Sequence, residues 1–191
     1  MLSLIEAGAT DIGENYVQEA EELHKQLGDR AKKIRWHMIG HMQKNKLTKA
    51  LKIFNVIQTV DSLEIAKELD KKVSLLGKDV IPVYIEVNIG NETKKSGIKP
   101  EYHIIEELAK EISKLPHLRL EGLMTMGPSF GNAGEIRPYF KKIKDIFEKI
   151  KALPNVSMKT LSMGMSGSYK VAIEEGSNMV RLGTVLFGDR L

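Results

Sequence analysis

Short apolar runs alternate along this chain with longer stretches in which apolar residues recur every three or four positions. The short runs are Thr10–Gly13, Arg35–Ile39, Val56–Val60, Pro82–Asn88, Leu120–Thr125, Thr160–Ser162 and Asn178–Arg181. Some are nearly continuous, as in Val83-Tyr-Ile-Glu-Val87, the pattern of strands covered on both faces. The longer stretches predict helices. Val17, Ala20, Leu23 and Leu27 form one stripe within Tyr16–Leu27. Leu63, Ala66, Leu69, Val73 and Leu76 form another, behind an Asp61 cap with Glu64 three residues on. Ile104, Leu108, Ile112 and Leu115 repeat the spacing, as do Ile136, Phe140, Ile143, Phe147 and Ile150. A helix over Leu2–Ala7 precedes the first strand, and the small and polar residues of Gly127–Gly134 read as a loop.

Strand and helix alternate strictly, which predicts a parallel sheet with helices outside it. Seven strands are counted, whereas a closed barrel of this kind has eight and about 250 residues, with about 200 as its lower limit. A seven-stranded barrel leaves two edges unpaired. Because the opening helix has no strand before it, the expectation is an α/β fold of the (β/α)8 TIM type whose first strand lies upstream of this sequence. No linker or shift in composition divides residues 1–191, which read as a single domain.

Composition narrows the function. No apolar run is long enough to span a bilayer and no leader pattern opens the sequence. The lack of cysteine excludes disulfides, thiolate catalysis and cysteine-ligated zinc, and with no export signal it predicts a cytoplasmic protein. Net charge is +4, but lysines such as Lys141, Lys142 and Lys144 are interspersed with acids on helix faces. One Trp and five Phe also leave little for base stacking, so nucleic acid is not an expected partner. A mild positive field suits a phosphorylated anion.

The most informative segments are Leu161-Ser-Met-Gly-Met-Ser166 and Met179-Val-Arg-Leu-Gly-Thr-Val185. Each reads as a buried strand ending at a Gly/Ser/Thr turn that opens a helix, where backbone N–H groups can approach an anion. As the last two strands of a parallel barrel they would form its phosphate cup. Gly164-Met-Ser166-Gly-Ser168 nearly matches a hydrolase nucleophile elbow, but the final Gly is Ser and no base and acid can be read from order alone. A phosphate-binding hydroxyl is the stronger reading of Ser166. Arg181 ends an apolar strand and needs a partner, because it stays charged.

Other candidates have plainer explanations beside them. His37 and His41 are four apart, but on a strand that spacing does not converge on a metal, and no Glu follows His37. Spacing alone favours a buried, hydrogen-bonded His37, and no metal is expected. Asn15 would point into the barrel mouth, or Glu14-Asn15 could simply cap the next helix. Lys94 and Lys95 lie on a polar loop after a strand, where lysines usually serve solvation.

Taken in order, Gly13-Glu-Asn-Tyr-Val-Gln-Glu19, Trp36-His-Met-Ile-Gly-His-Met-Gln-Lys-Asn-Lys46, Lys95-Ser-Gly97, Gly122-Leu-Met-Thr-Met126, Leu161–Ser166 and Met179–Thr184 closely resemble the pyridoxal phosphate homeostasis protein family. That family is similar to the barrel domain of alanine racemase. The resemblance runs from Leu2 to Arg190 and implies a (β/α)8 barrel holding pyridoxal 5′-phosphate. It implies that Ser166, Gly183 and Thr184 hold the phosphate, that Arg181 faces the pyridine nitrogen, and that Asn15, His37 and Met165 line the pocket. The family's cofactor lysine lies in a Ser-Lys-Thr-Lys-Pro-like segment before the first helix, and this sequence begins inside that helix. The expectation is therefore a carrier or buffer of the cofactor without assigned catalytic residues, which in this form binds it non-covalently and weakly, or not at all. It would be a monomer that serves pyridoxal-phosphate-dependent apoenzymes and has no membrane partner. The competing reading is a small amino-acid racemase-like enzyme.

Overall fold

The computed structural model describes residues 1–188. Seven strands form one sheet in the order β1-β2-β3-β4-β5-β6-β7. They are β1 (Asp11–Glu14), β2 (Arg35–Met38), β3 (Val56–Val60), β4 (Ile81–Glu86), β5 (Leu118–Thr125), β6 (Thr160–Met165) and β7 (Met179–Arg181). Every adjacent pair is parallel. Helices α1 (Leu2–Glu6), α2 (Val17–Leu27), α3 (Leu47–Ile53), α4 (Leu63–Leu75), α5 (Tyr102–Ile112), α6 (Ala133–Lys151), α7 (Tyr169–Glu174) and α8 (Thr184–Phe187) alternate with them. The predicted strand count and order hold.

The sheet curls into a barrel wall. Gln58 on β3 is hydrogen-bonded to Ser162 on β6 at 2.7 Å, and its amide nitrogen lies 3.3 Å from the Met179 sulfur on β7. In a flat sheet at about 4.8 Å per strand, β3 and β6 would be about 14 Å apart. Contact between them requires closure around a shared interior. Among the described residues no ladder joins β7 to β1, so each of these two is paired on one side only.

Two cores result. The larger lies between wall and helices, where Leu69 and Val73 of α4, Ile105 and Ile112 of α5, and Phe140, Ile143 and Ile150 of α6 are buried. Burying each such side chain stabilises the fold by about 1.5–3 kcal/mol. The smaller is a separate cluster of strand side chains, Val56, Tyr84 and Met124, with Met126 and Met179 packed on it.

Several local expectations are corrected. The cap of α4 is Ser62, whose Oγ accepts the Ile65 N–H at 3.3 Å, rather than Asp61. In α5 the inward residue is Ile105 while Ile104 stays half-buried. Helix α3 was not expected, because its seven residues bury only Leu47, Ala50 and Leu51. Strand β6 runs on to Met165 through Gly164, whose φ of +96° suits glycine and where a Cβ would come within 2.6 Å of the Ala172 Cβ. Gly40 is equally constrained: a Cβ there would meet the Asn15 carbonyl oxygen at 2.0 Å.

Candidate functional site: a polar seam between the first and last strands

The unpaired flanks of β1 and β7 face each other across a cavity of about 410 Å³. Asp11, Gly13 and Asn15 line it from one side, Arg181 and Gly183 from the other, with Met126 and Met165 between. From β6 and β7 the chain reaches it at strand C-termini, at Met165 and Arg181, and from β1 along the strand from Asp11 to Gly13.

Four of the seven residues singled out from the sequence, Asn15, Met165, Arg181 and Gly183, thus line one cavity. Asn15 does not cap α2; the cap position is Tyr16, without a side-chain bond. Ser166 stands beside the cavity, and its Oγ accepts N–H bonds from Gly183 and Val185, both at 3.3 Å. Those bonds are long, and a Cβ added at Gly183 or Gly167 would meet nothing within 4 Å. The backbone donors are therefore only weakly engaged and openly accessible. Thr184 is exposed at the start of α8. His37 is different: it is only 2% exposed, with both ring nitrogens bonded to other side chains.

Arg181 is the electrostatic centre. Its Nη1 donates to Ser162 Oγ at 2.6 Å and its Nη2 to the Thr125 carbonyl at 2.7 Å. Its Nε is buried without a partner. Burial pulls its pKa down to about 10, with the Glu86 charge opposing, so the guanidinium remains cationic at neutral pH.

Sequence reasoning missed Asp11, Gln58, Ser162 and Glu86. Their signal was faint: Gln58 is the one amide in β3 and Glu86 the one charged residue in β4. Glu86 lies on the wall of an adjoining cavity of about 260 Å³, with Asn15, Asn88, Lys94 and Lys95. Its Oε2 is buried and unpartnered, and burial, with help from Asp61 and against Arg181, raises its pKa to about 7. The loop above is organised by Asn88, which bonds the Glu92 backbone at both its N–H and its carbonyl. Lys95 is tied to Glu92 at 2.8 Å and to the Gly127 carbonyl at 2.7 Å. Its hydrogen bond, followed by that of Ser129, holds the Glu92 carboxyl down at about 2.

Ser166 Oγ is engaged by the backbone N–H groups of Gly183 and Val185 rather than by a base, so among the described residues it lacks the surroundings of a nucleophile. His41 is exposed and faces Asp61 at 3.6 Å, while His37 is committed elsewhere. Among the described residues no group of three His, Cys, Asp or Glu side chains is placed to hold a metal. No helix there is long and apolar enough to cross a membrane.

A parallel α/β barrel with an enclosed arginine and open backbone donors at one seam is the class these features define. The whole chain, residues 1–191, matches the alanine racemase N-terminal domain family and belongs to it. Within it, a pyridoxal phosphate homeostasis protein from Haemophilus influenzae is 41% identical over 191 residues, covering 100% of this chain and 79% of the relative. One of the same name from Aquifex aeolicus is 39% identical over 93% of this chain and 76% of its own length. The chain is therefore a member of the pyridoxal phosphate homeostasis protein family.

Solved structures agree. PipY from Synechococcus elongatus, without pyridoxal phosphate, superposes with a TM-score of 0.90 at 30% identity, covering 98% of this chain and 86% of PipY. The same protein with pyridoxal phosphate bound gives 0.87 at 29% identity, covering 98% of this chain and 85% of that one. Clostridium difficile alanine racemase, at 19% identity and a TM-score of 0.77 over 98% of this chain and 46% of its own, shares the fold.

Proposed function

We propose that this chain binds pyridoxal 5′-phosphate at the β1/β7 seam and acts as its carrier or buffer in vitamin B6 homeostasis. The observation that carries the reading is the enclosed Arg181 guanidinium with its unpartnered Nε, beside the backbone N–H groups gathered at Ser166. A phosphate is matched by the backbone donors, and a ring-nitrogen acceptor by the arginine. A cavity of about 410 Å³ is of the size that takes a small cofactor. The bound PipY structure and the names of the curated relatives support the same ligand.

Ser166, Gly183 and Thr184 hold the phosphate, Arg181 faces the ring nitrogen, and Asn15 and Met165 border the pocket. When bound, the cofactor supplies an electrophilic aldehyde and a ring able to accept electrons. Arg181 limits the second property. A cation that keeps its own protons leaves the ring nitrogen unprotonated, which weakens the electron sink and favours holding the cofactor over deep chemistry on it. The carrier works as a monomer in the cytoplasm and delivers to pyridoxal-phosphate-dependent apoenzymes.

Equilibrium dialysis tests this. Saturable retention of pyridoxal phosphate is expected, and no retention would refute the cofactor reading. Glu86 favours one second reading, a racemase-like enzyme, because a carboxyl with a pKa of about 7 can exchange protons at neutral pH. Turnover of an L- or D-amino acid that Glu86→Gln abolishes would support that alternative.

A further inference from the structure

A single hydrogen-bonded chain of side chains runs through the barrel from β1 to β7. His37 Nε2 lies 2.8 Å from Asp11 Oδ1, and His37 Nδ1 lies 2.8 Å from Gln58 Nε2. Ser162 Oγ donates to Gln58 Oε1 at 2.7 Å and accepts from Arg181 Nη1 at 2.6 Å. Its ends fix its direction. A guanidinium only donates and a carboxylate only accepts. Arg181 must therefore give to Ser162, Ser162 to Gln58, Gln58 to His37, and His37 to Asp11.

Each link has one consistent assignment. The Gln58 amide nitrogen also faces the Met179 sulfur, a weak acceptor, which agrees with nitrogen at that corner. Turning the amide over would set its oxygen against His37 Nδ1. His37 could then satisfy both neighbours only as an imidazolium, in a site whose burial disfavours that charge. The neutral Nε2–H form needs no such cost.

We propose that His37 and Gln58 are positioning residues, which hold Ser162 and through it the orientation of Arg181 toward the seam. This rests on the reading that Arg181 meets the cofactor ring there. With Nη1 on Ser162 and Nη2 on the Thr125 carbonyl, Arg181 Nε is the one guanidinium nitrogen without a partner. It also connects the Asp11 charge to Arg181 through polarised bonds, which strengthen one another when arranged head to tail. Asp11 is suited to its end. Burial would raise its carboxyl, but bonds from Thr10 and His37, with Arg35 nearby, outweigh that and hold it below the ordinary aspartate value.

The test compares His37→Phe, His37→Gln and Gln58→Leu by NMR of the Arg181 guanidinium in ligand-free protein. In the unaltered chain, rotation should be hindered and the Nη protons should give separate signals. They should merge in His37→Phe and Gln58→Leu. They should stay separate in His37→Gln, because that amide can accept from Gln58 and donate to Asp11 as the neutral imidazole does. A packing role predicts the reverse order, since Phe fills the ring volume better than Gln. Separate signals in all three variants, or merged signals in the unaltered protein, would overturn the proposal. Dialysis with pyridoxal phosphate forms the second arm: His37→Phe and Gln58→Leu should bind about tenfold more weakly, with His37→Gln near the unaltered value. If the unaltered protein retains no cofactor, the seam reading fails, and the guanidinium signals still decide the positioning claim.

Discussion

The two walls of this barrel are built for different purposes. In the arc of β3, β4 and β5, every strand is paired on both sides, and β4 pairs with β5 from Ile81 to Glu86 with one register shift between Val83 and Tyr84. All five residues of β3 are buried, and α4, α5 and α6 pack their apolar faces behind the arc. At the seam, β7 is three half-buried residues and is followed by exposed Val185, Leu186 and Phe187. The arc supplies the burial that stabilises the fold, while the seam carries weakly engaged backbone donors and an arginine whose Nε has no partner. The Asp11-to-Arg181 chain ties the seam to the barrel interior.

The comparison can be broken in order of expected effect. Phe140→Ala, behind the arc, should cost about 3–5 kcal/mol in urea unfolding, while cofactor retention at low temperature stays unchanged. A cost below about 1 kcal/mol would show that the arc does not carry the stability. Glu86 comes next. Its folded pKa, about 7, lies above the value of 4.5 for an exposed glutamate. The folded state therefore holds the proton longer, and stability is lost as pH rises from about 4.5 to about 7. The loss is up to about 3 kcal/mol, and Glu86→Gln should remove that slope. Parallel pH profiles for the two proteins would refute the assignment. Smaller still, Ser62→Ala should cost about 1 kcal/mol by removing the α4 cap, whereas Asp61→Ala should leave α4 capped. The opposite ranking in thermal melts would restore Asp61 as the cap.

Much of the arc was legible because burial writes itself into spacing. Continuous apolar runs marked the strands and the stripe through Leu69 and Val73 marked α4. Helix α3 escaped because three inward residues make too short a stripe, and the cap was misplaced because Asp61 and Ser62 are adjacent acceptors. The seam was legible only in part. Glycine, serine and arginine after the last two strands pointed to an anion, and the family resemblance gave the ligand and the remaining positions. Gln58 and Ser162 could not be read, because their partnership spans 104 positions and exists only once the sheet has closed. His37 showed the same limit. Its spacing favoured a buried, hydrogen-bonded residue, which the structure has, but not the identity of Asp11 and Gln58 as its partners.

The central claim, that the seam grips a phosphate, is tested most directly by equilibrium dialysis with pyridoxal 5′-phosphate and with pyridoxal, using the unaltered chain and a Ser166→Ala, Thr184→Val double variant. The unaltered chain should prefer the phosphorylated compound by about a hundredfold, since several bonds to a charged group are at stake, and the variant should lose most of that preference without a change in melting behaviour. Equal retention of both compounds by both proteins would contradict the account.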